Sequence, residues 1–147
     1  MYQRILVATD GAPLSDKAIS QAIDLAALCG AELVALQVVH RYPQTYFDGG
    51  IALESEDVQR VEKSWADAAQ VVVDAVQTAA LAKGVKTRAV VVCADVVSDA
   101  LLAAAKQHHC DLIVMASHGR RGLQRLLLGS ETQHVLTHSH IPVLVLR

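Results

Sequence analysis

At 147 residues the chain fits one domain, residues 1–147, long enough to bury roughly 70% of the surface that its unfolded form exposes. Hydrophobic residues make up 52%, mostly Ala, Val and Leu, against 19% charged, which suits a sheet covered on both faces and excludes a disordered chain. A formal charge of −2 and 3% aromatics supply neither the basic surface that duplex nucleic acid requires nor a stacking platform for single strands, so no nucleic-acid partner is expected.

Residues 1–10, MYQRILVATD, run straight into a strand, and a secretory leader is not expected there. Residues 5–9 form a short continuous apolar run, the pattern of a strand buried on both faces. Asp10-Gly11-Ala12-Pro13 is a turn, with Pro13 placed for a helix's first turn. Ile19, Ala22, Ile23 and Ala26 then share one helical stripe that stops at Gly30, a C′ glycine. A second strand spans 32–39. Residues 41–51, with Pro43, Gly49 and Gly50, are the one long loop and are expected to be mobile.

A long helix is predicted over about 57–83, with Val58, Val61, Trp65, Ala68, Ala69, Val72 and Val76 on its apolar face and Gly84 ending it. Residues 88–93 make the third strand. Asp95 is positioned to cap a helix over 97–108, and 112–116 make the fourth strand. A short helix over 130–137 and a closing strand over 142–147 follow, with Pro142 at the strand's start, where it does least harm. Strands alternating with helices imply a doubly wound, mainly parallel α/β sheet with helices on both faces. No apolar run nears the roughly 18 residues of a membrane span, so no membrane association is expected. Cys29, Cys93 and Cys110 are odd in number and form no C-x-x-C pair, which points to a reducing cytoplasm and unpaired, largely buried thiols.

In such sheets ligands bind beyond the carboxyl ends of the strands, where strand order reverses. Asp10, residues 38–40 and residues 116–122 fall at such ends. Gly119 and Gly122 follow a buried strand and precede a helix, the order that gathers backbone N–H groups around a phosphate; either glycine can also simply turn the chain. Ser130-x-x-Gln133 reads as a capping box, which satisfies the helix N–H groups yet leaves a helix N-terminus facing the crevice. Glu131 in that first turn would compete with an anion. Asp10 can cap the helix that follows it or, beside phosphates, help to hold Mg²⁺. Arg120, Arg121 and Arg125 add positive charge near the loop, although exposed basic residues are commonly just solvated.

His134 and His138 are four residues apart on one helix, without the Glu of H-E-x-x-H, and His108-His109 close another; both are read as helix-terminus residues rather than metal ligands. There is no G-x-x-x-x-G-K-[ST], no G-x-G-x-x-G after the first strand and no G-x-S-x-G elbow, and no acid–base pair or activated nucleophile can be assembled.

From Ile5-Leu-Val-Ala-Thr-Asp10 through Leu112-Ile-Val-Met-Ala-Ser-His-Gly119 to Leu127-Leu-Gly-Ser130 and Pro142-Val-Leu-Val145, the chain resembles the universal stress protein family. The family's nucleotide-binding branch carries G-x2-G-x9-G-[ST]. On this chain Gly119, Gly129 and Ser130 match three of the positions, and Ala116 stands where the first glycine belongs. That departure adds one methyl where the chain would pass the nucleotide's sugar and phosphates. The resemblance implies a strand order of 3-2-1-4-5, with Ala8, Val38 and Met115 lining an adenine and ribose pocket. It further implies that Asp10 bridges through a divalent ion or water, and that Gly119, Gly129, Ser130 and the Glu131 backbone hold phosphates. Gly122 lies outside the required positions. A homodimer is implied too, through the last strand, residues 143–146, whose apolar edge would otherwise be exposed.

The expected function is therefore a cytoplasmic regulatory protein that binds ATP with Mg²⁺ or Mn²⁺. Two alternatives share the site: slow ATP hydrolysis, disfavoured by the missing phosphate-loop lysine, and a nucleotide-free interaction dimer in which Ala116 marks a lost ligand. Metal or redox chemistry stands behind all three.

Overall fold

A computed structural model of the chain describes residues 1–43, 55–118 and 128–147. Most of the expected 41–51 loop lies outside the described residues, as do Gly119, Arg120, Arg121, Gly122 and Arg125. Among the described residues, strands and helices alternate as β1 (Arg4–Ala8), α1 (Pro13–Cys29), β2 (Glu32–His40), α2 (Ser55–Ala82), β3 (Thr87–Ala94), α3 (Val97–Gln107), β4 (Leu112–Ala116), α4 (Ser130–His138) and β5 (Val143–Leu146). The strands form one parallel sheet in the order β3-β2-β1-β4-β5. The chain winds outward from β1 to β3, then crosses back to β4 and β5, so the reversal falls between β1 and β4.

The apolar runs are continuous because each strand serves two cores at once. Side chains alternate across the sheet, so Ile5 and Val7 of β1 lie with Leu33, Ala35, Leu112 and Val114 under α1 and α2, where they meet Ala22, Ile23, Val73 and Val76. Leu6 faces the other way, with Val34, Leu36, Ile113 and Met115 against Leu101 and Ala105 of α3 and Val135 of α4.

Pro13 occupies the first turn of α1, and Gly30 ends the helix with φ at 67°, a left-handed position that favours glycine. At the amino ends of the strands, the Asp111 carboxylate accepts the N–H of Gln3 at 2.8 Å and of Arg4 at 3.0 Å, which ties β1 to the start of β4. The Arg4 guanidinium donates to Glu32 at 2.8 Å. Hydrogen bonds from Lys86 and Arg4 hold the Glu32 carboxyl below the usual carboxylate range.

Three expectations need correction. The buried stripe of α2 is Ala69, Val73, Val76 and Ala80, while Ala68 is exposed and Trp65 is 40% exposed, stacked on Tyr42 instead. Residues 68–76 carry Ala or Val at most positions around the helix, so the pattern alone did not fix its phase. Asp95 does not cap α3: the N-cap residue is Val96, and exposed Asp95 lies 3.7 Å from Arg41. Finally, Cys110 is buried and Cys29 half-buried, but Cys93 is exposed, one residue before the end of edge strand β3.

Candidate functional site

The reversal sets the carboxyl ends of β1 and β4 side by side. Val7 is level with Val114, which brings Ala8 and Met115 to one height on adjacent strands. Ala8, Val38 and Met115 all pack with the cluster under α3 and α4, so the three residues expected around an adenine share one face of the sheet. Met115 and Ala116 are both buried. By strand alternation the Ala116 side chain lies on the opposite face, the α1 side, with Val114.

Beyond β1, the Thr9 N–H continues the ladder to the Leu36 carbonyl at 2.9 Å, and Gly11 turns the chain with φ at 76°. The Asp10 carboxylate faces this turn. Its Oδ1 accepts the Ala12 N–H at 2.9 Å and the Ser15 hydroxyl at 2.7 Å, which orders the start of α1. The helix-start role and a place at the crevice mouth thus coexist in one carboxylate.

The entry of α4 is joined directly to the exit of β4. The Gly129 N–H donates to the Ser117 carbonyl at 2.9 Å, and a Cβ on Gly129 would stand 3.3 Å from that same oxygen and 3.7 Å from the His118 Cα. Its φ of −60° is ordinary, so what favours glycine here is the close approach and not backbone freedom. The buried Thr132 hydroxyl lies 3.2 Å from the Ala116 carbonyl and 3.2 Å from that of Ser117. Ser117, also buried, donates its N–H to the Leu146 carbonyl at 2.7 Å, and its Oγ is 2.8 Å from His118 Nδ1.

Thr132 and Ser117 were not singled out from the sequence. The available signal was weak: Thr132 precedes Val135 by one turn and so shares its inward face, and both are buried. Thr132→Val keeps the shape and removes the hydroxyl that the Ala116 and Ser117 carbonyls share; Ser117 keeps the Gly129 N–H. We expect a loss of about 1–2 kcal/mol, read in thermal unfolding as a fall in Tm of roughly 2–8 °C. An unchanged Tm would show that these bonds do not hold α4 to β4.

The expected capping box is not formed. Gly129, not Ser130, is the N-cap; Ser130 is exposed in the first turn, and among the described residues no side chain caps the helix. The reason is the docking itself. With the Gly129 N–H held by Ser117 and Gly129 as the N-cap, Gln133 falls one residue beyond the N3 position that a box requires, and its Nε2 donates instead to the Leu128 carbonyl at 3.0 Å. Glu131 does not sit over the helix end either. Its Oε2 accepts the Ser98 N–H at 2.7 Å and so supplies α3 with the cap that Asp95 does not. Among the described residues, then, no side chain covers the first-turn N–H groups of α4, at the carboxyl edge of the sheet.

His134 and His138 stack with ring centroids 4.1 Å apart, and His134 Nε2 is 2.9 Å from Asp99. Among the described residues, no group of three or more His, Cys, Asp or Glu could hold a metal ion. Asp10 offers a single carboxylate, a donor set that suits Mg²⁺ or Mn²⁺ carried mainly on phosphate oxygens and water, not a protein cage.

The profile of the Universal stress protein family matches residues 1–147. The chain belongs to that family. Universal stress protein MJ0531 of Methanocaldococcus jannaschii is 32% identical over 147 residues, which cover 100% of this chain and 83% of the relative. The structure of universal stress protein UspA from Lactobacillus plantarum superposes with a TM-score of 0.81 at 25% identity, covering 99% of this chain and 98% of that one. A universal stress protein solved in complex with cAMP is 26% identical, with a TM-score of 0.66 over 99% of this chain and 97% of that one. Among the described residues, no helix is long and apolar enough to cross a membrane.

Proposed function

We propose that this universal stress protein is a cytoplasmic homodimer that binds ATP or a related adenine nucleotide, with Mg²⁺ or Mn²⁺, and acts as a regulator. The observation that carries the reading is the α4 N-terminus, held against the exit of β4 through Gly129 and Ser117, with no side-chain cap among the described residues. Uncovered N–H groups and the positive end of a helix dipole favour a phosphate at that place. Glu131, whose carboxylate would oppose an anion there, is drawn off to Ser98. The similarity to a protein solved with cAMP supports an adenine nucleotide.

In this reading Ala8, Val38 and Met115 receive the base and ribose, and Ala116 lies where the chain passes the sugar and phosphates. Gly119, Gly129, Ser130 and the Glu131 N–H hold phosphate oxygens. Asp10 meets the divalent ion directly or through water; the ion, when bound, neutralises phosphate charge. The reading assigns no catalytic residue. The homodimer forms along β5, which pairs with β4 on one side and leaves Leu144 39% exposed.

Denaturing the purified protein and chromatographing the supernatant tests the reading. Released adenine nucleotide, or ATP binding on the order of micromolar by the stripped protein, is the expected result; the absence of both would overturn the reading. Ala116→Gly separates it from a nucleotide-free dimer. Because the Ala116 methyl adds little bulk, ATP affinity is expected to change by less than about threefold. A gain of tenfold or more would mean that this methyl had closed the site.

A further inference from the structure

A second concavity lies at the other end of the sheet, where α3 and α4 finish and β4 and β5 begin. It is a cleft of about 560 Å³, within the size range of small-molecule sites. Its floor is apolar: Ala105, Cys110 and Ile113 are buried members of the core under α3 and α4, and Leu102 and Ile141 extend that surface outward. Burial pushes the Cys110 thiol up to about 11, so the floor carries no thiolate charge at neutral pH.

The rim carries one full positive charge, that of Lys106, and three imidazoles. Lys106 comes from α3, His109 from the turn after it, His138 from α4 and His140 from the link to β5; among the described residues no Asp or Glu lines the cleft. The nearest carboxylate in sequence, Asp111, is turned to the Gln3 and Arg4 N–H groups. Lys106, His109 and His140 are exposed and, among the described residues, make no side-chain hydrogen bond or ion pair. His138 uses Nδ1 to donate to the His134 carbonyl at 2.9 Å, which leaves Nε2 for another partner.

Two helix C-termini bring partial negative charge to the same place, and this opposes an anion. Their carbonyls are engaged, however: Ala104 and Ala105 accept from His108 and Cys110, and Val135 accepts from Ser139. The full charge of Lys106 therefore outweighs them. Nor do the histidines form a metal site, since no such cluster is found among the described residues.

We propose that this cleft binds a small amphipathic carboxylate, its apolar body on Cys110, Ile113 and Ile141 and its carboxylate against Lys106 and His140. Charge complementarity selects the head group and the apolar floor selects the tail. The site is independent of the nucleotide reading, because its residues lie at the amino ends of the strands.

Decanoate below its micellar concentration is the probe, titrated into the full-length protein and followed by amide NMR. Saturable shifts are expected at Cys110, Ile113 and Ile141, with decanol, which lacks the charge, binding at least about tenfold more weakly. Lys106→Ala with His140→Ala is expected to cause a similar loss, and Ala103→Trp, at an exposed lining position, to abolish binding while leaving ATP affinity unchanged. The proposal is overturned by any of three results: no saturable shift, equal binding of decanol and decanoate, or shifts confined to the carboxyl ends of the strands.

Discussion

Gly129→Val is expected to weaken ATP binding by about 100-fold, or nearly 3 kcal/mol. The cause is distance. A Cβ at this position already stands 3.3 Å from the Ser117 carbonyl oxygen, closer than a side-chain carbon ordinarily approaches, and valine adds two branches to it. Neither neighbour can yield easily. Ser117 is fixed by its N–H bond to Leu146, and α4 is fixed by Thr132 on the same strand exit. The helix N-terminus must therefore move away from β4, and displacement of binding groups by about 1 Å is enough to cost two orders of magnitude. Gly129→Ala, with only the Cβ to accommodate, should lose about tenfold. Titration of both variants below their own Tm checks this; ATP binding by the valine variant at wild-type strength would remove α4 from the site.

Asp10 should separate into its two roles through a pair of substitutions. Asp10→Asn retains a carbonyl oxygen able to accept from Ala12 and Ser15, so Tm should stay within the equivalent of about 0.5 kcal/mol of wild type. It removes the charge that, in the proposed complex, would face a phosphate-bound cation, and ATP affinity with Mg²⁺ should fall about tenfold. In EDTA that difference should largely vanish. Asp10→Ala loses the acceptor as well, and stability should fall by about 1 kcal/mol in addition. If Asp10→Asn binds ATP with Mg²⁺ as wild type does, while Asp10→Ala is merely less stable, Asp10 is a helix-start residue and nothing more.

The parts of the fold legible in the sequence were those set by local geometry. Continuous apolar runs such as 5–9 and 112–116 mark strands buried on both faces, Gly30 marks a helix end, and Pro13 a helix start. Ala8, Val38 and Met115 were named by the family resemblance alone, and the sheet sets the three on one face. What escaped depends on docking between distant segments. Glu131 caps a helix that begins more than thirty residues earlier, with Ser98 its partner, and no local pattern announces this. Likewise Ser130-x-x-Gln133 has the spelling of a capping box, but docking on Ser117 makes Gly129 the N-cap and moves Gln133 out of the N3 position. Thr132 looked like one more polar residue on a short helix because its partners are carbonyls of β4. These three failures fall together at the junction of β4 and α4, where tertiary contact overrides local chemistry.

Calorimetric titration of ATP with Mg²⁺ into nucleotide-stripped protein, beside Gly129→Val, bears most directly on the nucleotide site. One saturable site per chain with a Kd on the order of micromolar, lost in the variant, is expected. No saturable heat with ATP, ADP, AMP or cAMP, from a protein whose unfolding curve shows it intact, would contradict it.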